Sequence, residues 1–177
     1  MKSIYLYIFF ILLLSCDNDK KIIENFINPQ SLPLEEMKNA TILYTENGDI
    51  RVKIISAKMT RIVNPEDVIK FSNGVVVDFY TDTSEKKSVL TCENATVNNK
   101  SQIMIATDNV ILVSSEKKEL MTEELIWDQN KNLIYTEREV KITTDDEVIY
   151  GEGFSSTPDF MEYEIKKAKG SFNLKKD

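Results

Sequence analysis

No histidine occurs anywhere in this chain, which removes the commonest general base and transition-metal ligand at neutral pH. Ser114-Ser115 and Ser155-Ser156 therefore have no base beside them in sequence, and no glycine-rich loop leads from a strand into a helix to cradle a phosphate. The acidic run Asp145-Asp146-Glu147 falls at an expected hairpin tip, where it reads as a solvated turn rather than a cation site or paired catalytic carboxylates. An enzyme has little support, and no cofactor or metal is implied. A basic patch is missing as well, and the formal net charge is −7, which argues against nucleic acid and against electrostatic docking on anionic lipid. Cysteine is scarce, with only Cys16 and Cys92. The apolar run at residues 4–14 is too short to span a bilayer comfortably.

What is present at the N-terminus is a leader. Lys2 followed by the apolar run gives residues 1–15 the form of a signal peptide. Leu13-Leu14-Ser15-Cys16 resembles a bacterial lipobox, in which Cys16 is acylated and becomes the first residue of the mature protein; the competing reading is an ordinary secretory signal followed by an unrelated Cys. More than one acyl chain, at about 0.8 kcal/mol per buried CH₂, would anchor the chain stably. Asp17 resembles the inner-membrane retention signal of some lipoproteins. Removing residues 1–15 leaves 162 residues with net charge −8, enough for one domain. Attachment must then come from the lipid. With Cys16 acylated, Cys92 has no partner for an internal disulfide and reads as small apolar filler. Residues 16–38, polar and holding Pro29 and Pro33, read as a tether; residues 20–27 could form a short helix or stay linker.

From Thr41 onward the hydrophobic period is two. Arg51-Val52-Lys53-Ile54, Val75-Val76-Val77-Asp78-Phe79, Val140-Lys141-Ile142 and Glu162-Tyr163-Glu164-Ile165 alternate apolar with charged or small residues, so strands are expected and long helices are not. Turn signals at Asn47-Gly48-Asp49, Asn73-Gly74, Asn98-Asn99, Asp128-Gln129-Asn130, Asp145-Asp146 and Thr157-Pro158-Asp159 punctuate them. Aligned on these turns, the runs repeat. Glu93-Asn94-Ala95-Thr96-Val97 matches Glu123-Glu124-Leu125-Ile126-Trp127, and Asp108-Asn109-Val110-Ile111-Leu112 matches Arg138-Glu139-Val140-Lys141-Ile142, both at an offset of 30. Gly151-Glu152-Gly153-Phe154 starts a further copy, and Ser72-Asn73-Gly74-Val75 an earlier, looser one. Such repetition means stacked units sharing one apolar interior; Gly151-Glu152-Gly153 reads as a bend or bulge that lets the sheet curve.

Alternation assigns faces, because a strand with one charged face turns the other inward. Lys141 puts Val140 and Ile142 on the interior, and Asp78 does so for Val77 and Phe79. Carried through the repeat, this places Val110, Leu112, Leu125, Trp127, Leu133, Tyr135 and Phe154 inside. Val75, Ile103 and Ile105 complete the expected lining. Such an interior is either filled core or a lipid-accepting groove, and composition does not choose between them.

The lipobox, the tether, Val75-Val76-Val77-Asp78-Phe79-Tyr80, Thr107-Asp108-Asn109-Val110-Ile111-Leu112, Leu120-Met121-Thr122-Glu123-Glu124-Leu125, Val140-Lys141-Ile142 and Gly151-Glu152-Gly153-Phe154 together resemble the LptC family over about residues 40–174. Familiar members carry an N-terminal transmembrane helix where this chain has a lipobox. The resemblance implies an all-β fold, a repeat-built antiparallel β-jellyroll of two facing, twisted sheets open along one side, spanning 39–174 with 175–177 as tail. It implies a protein at the periplasmic face of the inner membrane that accepts lipopolysaccharide from an ABC transporter and passes it to the bridge protein LptA. The interior residues above would hold acyl chains, and open sheet edges would pair with neighbours: Ala40, Ile42 and Tyr44 at the transporter end, Gly170, Phe172 and Leu174 at the bridge end. The alternative is a structural or adhesive lipoprotein with a closed core and no lipid ligand.

Overall fold

The structure is a computed structural model that describes residues 34–62, 67–81 and 85–173. The leader, Cys16, most of the expected tether and Leu174 lie outside the described residues. Ten strands follow one another: β1 (Leu34–Glu46), β2 (Asp49–Ile62), β3 (Val68–Tyr80), β4 (Lys86–Cys92), β5 (Asn94–Asn98), β6 (Ile103–Ser114), β7 (Glu119–Asp128), β8 (Leu133–Thr143), β9 (Glu147–Ser156) and β10 (Tyr163–Asn173). All pairings are antiparallel, in the order β1-β2-β3-β4-β6-β7-β8-β9-β10, with β5 beside β3 and β6. Since β4 and β5 pair with successive halves of the same two neighbours, they act as one strand interrupted at Glu93. β1 opens at Leu34, so the folded part reaches back into the segment read as tether.

The long strands are bent near their middles, and the bends line up into a crease. The ladder slips there between Ser56 and Lys58, Thr107 and Val110, Met121 and Ile126, and Thr136 and Glu139. Left-handed backbone appears at Asn73 (φ 65°) and Gly74 (φ 89°), Asp108 (φ 67°) and Asn109 (φ 54°), and Gly153 (φ 77°), residue types that tolerate this region best. Backbone bonds carry the ladder across the crease: Gly74 N–H donates to the Glu93 carbonyl at 3.2 Å, and Glu93 N–H to the Asp108 carbonyl at 3.0 Å. The thirty-residue repeat is therefore a pair of bent strands, and its most recognisable residues are those of the bend.

Folding at the crease produces two layers. One sheet takes residues 40–46, 49–56, 75–80, 86–92, 110–114, 119–122, 140–143 and 147–151; the other takes 58–62, 68–72, 94–98, 103–107, 125–128, 133–136 and 154–156. The layers face each other, because Tyr44 and Phe79 of the first touch Trp127 of the second at ring-centroid distances of 6.4 and 5.2 Å, although their strands are not ladder neighbours. This is the expected all-β, two-layer antiparallel jellyroll. One continuous core fills it, with Ile54, Val77, Val97, Met104, Leu112, Leu120, Ile134, Ile142 and Phe154 at 0% exposure.

Two rules govern which residues cross the crease inside. On β3, β6 and β8 the buried series steps by four, from Phe71 to Val75, Ala106 to Val110 and Thr136 to Val140. On β2, the β4–β5 pair, β7 and β9 it steps by three, from Ser56 to Met59, Cys92 to Ala95, Thr122 to Leu125 and Gly151 to Phe154. This corrects four inward assignments. Met104 and Ile134 are buried, whereas Ile105 is exposed and Ile103, Leu133 and Tyr135 are half-buried on the opposite face. These residues are apolar because they form outer cross-strand pairs, Ile105 opposite Ile126 and Ile126 opposite Tyr135, a stabilising use of apolar side chains on the solvent side.

Candidate functional site

Opposite the crease the two sheets part into a cleft of about 1040 Å³. Its apolar floor comes from Tyr44, Val52 and Phe79 on one sheet and Trp127 on the other, and its polar rim includes Glu46, Arg51, Lys87, Gln129, Asn130 and Asp159. Tyr44 sits near the end of edge strand β1 and is in register with Val52, which pairs with Phe79, so three adjacent strands present one row to the opening. Burial, helped by the charge of Asp67, pushes the Tyr44 phenol above its usual pKa. Both rim cations are held by acids: Arg51 Nε lies 3.1 Å from Glu46 Oε2 and Lys87 Nζ 3.3 Å from Glu85 Oε2.

Residues 157–159, the start of the loop 157–162, line one side of the cleft. Phe160 is fully buried despite a left-handed backbone (φ 55°) and packs edge-on against Phe154 at 5.5 Å and beside Tyr163 at 5.6 Å. The loop is tied to the facing sheet, since Ser88 Oγ donates to the Pro158 carbonyl and Lys118 Nζ donates to the Met161 carbonyl at 2.7 Å. It strengthens the junction between layers that no ladder bond holds.

Of the expected lining residues, Val75, Val77, Val110, Leu112, Leu125, Val140, Ile142 and Phe154 are buried in the core, and Phe79 and Trp127 also line the cleft. The structure adds Val52, Tyr44 and the loop at 157–159. Val52 carried a signal in the alternation of Arg51-Val52-Lys53-Ile54; Phe160 carried none beyond an aromatic beside a turn. Ala40, Ile42 and Tyr44 lie on β1 and Gly170 and Phe172 on β10, the two ends of the sheet order, each paired on one side only among the described residues. Ala40 is buried and Ile42 half-buried, so their side chains serve the core. The acidic run at Asp145-Asp146-Glu147 forms the β8–β9 turn, where Thr144 Oγ1 accepts from the Asp146 and Glu147 N–H groups at 3.3 and 3.2 Å.

Cys92 has more than a filling role. Its thiol donates to the Asn94 carbonyl at 3.1 Å, while burial pushes its pKa from 9.0 to about 12. Ser56 Oγ makes the same bond to the Lys58 carbonyl at 2.9 Å, and Thr122 Oγ1 reaches the Glu139 carbonyl at 2.9 Å. Each answers a carbonyl beside the bend with a side chain that is itself buried, where an unpaired hydroxyl or thiol is costly.

The arrangement offers nondirectional apolar contact, a lateral opening and two strand edges, a geometry suited to binding. Among the described residues no helix is long and apolar enough to cross a membrane. Comparison with curated proteins finds no match. A family model described as "Lipopolysaccharide-assembly, LptC-related" matches residues 4–169, and that family is one of transport components, not of enzymes. With nearly the whole length matched, the chain belongs to the LptC-related family and is a component of lipopolysaccharide transport associated with the inner membrane and periplasm.

Proposed function

We propose that this protein is a lipid-anchored periplasmic carrier, held to the membrane through acylated Cys16, that accepts lipopolysaccharide from an inner-membrane ABC transporter and passes it to an LptA-like bridge protein. The observation that carries this reading is the cleft: an apolar floor of Val52, Phe79 and Trp127 opening sideways onto an apolar interior. Acyl chains exposed to water cost about 0.8 kcal/mol per CH₂, so a multi-chain amphiphile needs such cover across an aqueous space. Contacts without direction let the ligand move on. The free edges of β1 and β10 suit strand-to-strand docking on the transporter and bridge sides respectively.

Photo-crosslinking in cells tests the trough. A probe amino acid at Phe79, Trp127, Val110 or Ile142 should yield lipopolysaccharide adducts, and one at the outward positions Ile111 or Lys141 should not. Strong expression with no adduct at any inward site would leave a closed-core lipoprotein. The anchor has its own readout: Cys16→Ser should move the chain from the membrane to the soluble periplasmic fraction.

A further inference from the structure

Trp127 is the only tryptophan of the chain and carries an unanswered donor. Its ring lines the cleft and is 7% exposed, yet its Nε1–H is buried with no hydrogen-bond partner among the described residues. Its nearest aromatic companions, Tyr44 and Phe79, meet it in T-shaped contacts, and a ring face is a weak acceptor at best. A buried N–H left unpaired is expensive, and indole donors in protein interiors normally find an acceptor. Phenylalanine would fill the same apolar site without that cost.

The surroundings select the kind of acceptor. The rim cations Arg51 and Lys87 already face Glu46 and Glu85, and Asp159 adds a further negative charge at the opening. A phosphate entering here would lose its hydration in exchange for cations already occupied, and a buried anion without a dedicated partner is strongly disfavoured. A neutral carbonyl loses far less on leaving water and needs one donor.

We propose that the Trp127 N–H is the polar anchor of the cleft and takes the ester or amide carbonyl through which an acyl chain joins a sugar, the chain lying against Phe79 and Val52. The inference rests on the transport reading and sharpens it: the cleft recognises the acyl linkage of its amphiphile, not its phosphates. Because Nε1 lies beneath the cleft surface, the carbonyl reaches it only after the chain has entered between the sheets, so capture is apolar first and polar second.

A single indole resonance makes the test direct. The isotope-labelled full chain, held in nanodiscs of ether-linked phospholipid, is titrated with sucrose monolaurate, an ester, and with dodecyl maltoside, a glycoside of matched chain length without the carbonyl, both below their micelle concentrations. The ester should move the indole N–H signal downfield and bind roughly three- to tenfold tighter than the glycoside, the value of one hydrogen bond. Trp127→Phe should erase that ratio while both surfactants still bind. Equal affinities in the native chain, a ratio that survives Trp127→Phe, or an equal downfield shift from glucose phosphate would overturn the carbonyl assignment and leave the trough standing. If neither surfactant nor lipopolysaccharide binds, the transport reading itself falls.

Discussion

Cys92 occupies a position that its neighbours fill with hydroxyls. Ser56, Cys92 and Thr122 are the last buried residues before the three-residue step on their strands, and each donates to a carbonyl beside the bend. Cys92→Ser keeps the donor that Cys92→Val loses, a bond worth about 0.5–1.5 kcal/mol, so the serine variant should be the more stable; urea midpoints of the two variants check the order. The thiol also sets a pH limit. Its folded pKa is raised from 9.0 to about 12, so the folded state holds this proton longer than the unfolded chain does. Its stabilising contribution is complete below 9.0 and is lost as pH climbs through about 12. A thiol reagent at neutral pH should accordingly label Cys92 only after unfolding.

At the scale of strands, the bends do most of the specifying. Gly151 shows the tolerance: a Cβ there would lie 2.4 Å from Ile165 Cγ2 and 3.1 Å from the Lys167 carbonyl, so β10 closes onto β9 only because the side chain is absent. Gly151→Ala should destabilise by about 1–3 kcal/mol through overpacking and raise hydrogen exchange along β10. Ile165→Ala in that background should recover part of the loss, a non-additivity that a double-mutant cycle measures. The bends also explain what was readable beforehand. Strand character, the offset of 30 and most turns were legible, because period-two alternation and Asn, Asp and Gly at left-handed positions are local chemistry; Asn73-Gly74, read as a turn between strands, is instead a bend inside β3. The facing of Ile103, Ile105, Leu133 and Tyr135 was not, because these side chains are apolar for the sake of cross-strand partners on the outer face, a tertiary reason invisible to residue type. The inward Cys, Ser and Thr each answer a carbonyl beside the bend, a partner set by the folded geometry. The cleft was half legible: Phe79 and Trp127 were expected inside, but Tyr44 was assigned to the edge alone, and the Phe160 loop depends on an encounter between distant segments.

For the molecule as a whole, charge is arranged in pairs, most of them exposed, with the Asp128 carboxylate itself buried beneath Lys131. Lys58 lowers the pKa of Glu36, Arg61 that of Asp67, Lys131 that of Asp128 and Lys167 that of Glu152, while Lys131 and Lys169 are raised by their acids. The depressed carboxylates give stability that is present above their unfolded values and lost as pH falls through the lowered ones. The raised lysines add stability present below their unfolded value and lost only as pH rises beyond it. Denaturant midpoints should therefore stay level through neutrality and fall on both flanks, with the acid arm reduced by salt, since exposed pairs are screened. Asp128→Asn should shorten that arm.

The crease has a mechanical corollary. Every ladder bond runs from strand to strand, along the line of the crease, and none joins one sheet to the other face to face. Stretching the protein from β1 toward β10 must break whole ladders. Parting its two leaves breaks no ladder bond, but it must bare the shared apolar core and release the Ser88–Pro158 and Lys118–Met161 contacts at the mouth. The molecule is thus held by different forces in its two directions, backbone hydrogen bonds along the crease and apolar burial with a few side-chain ties across it.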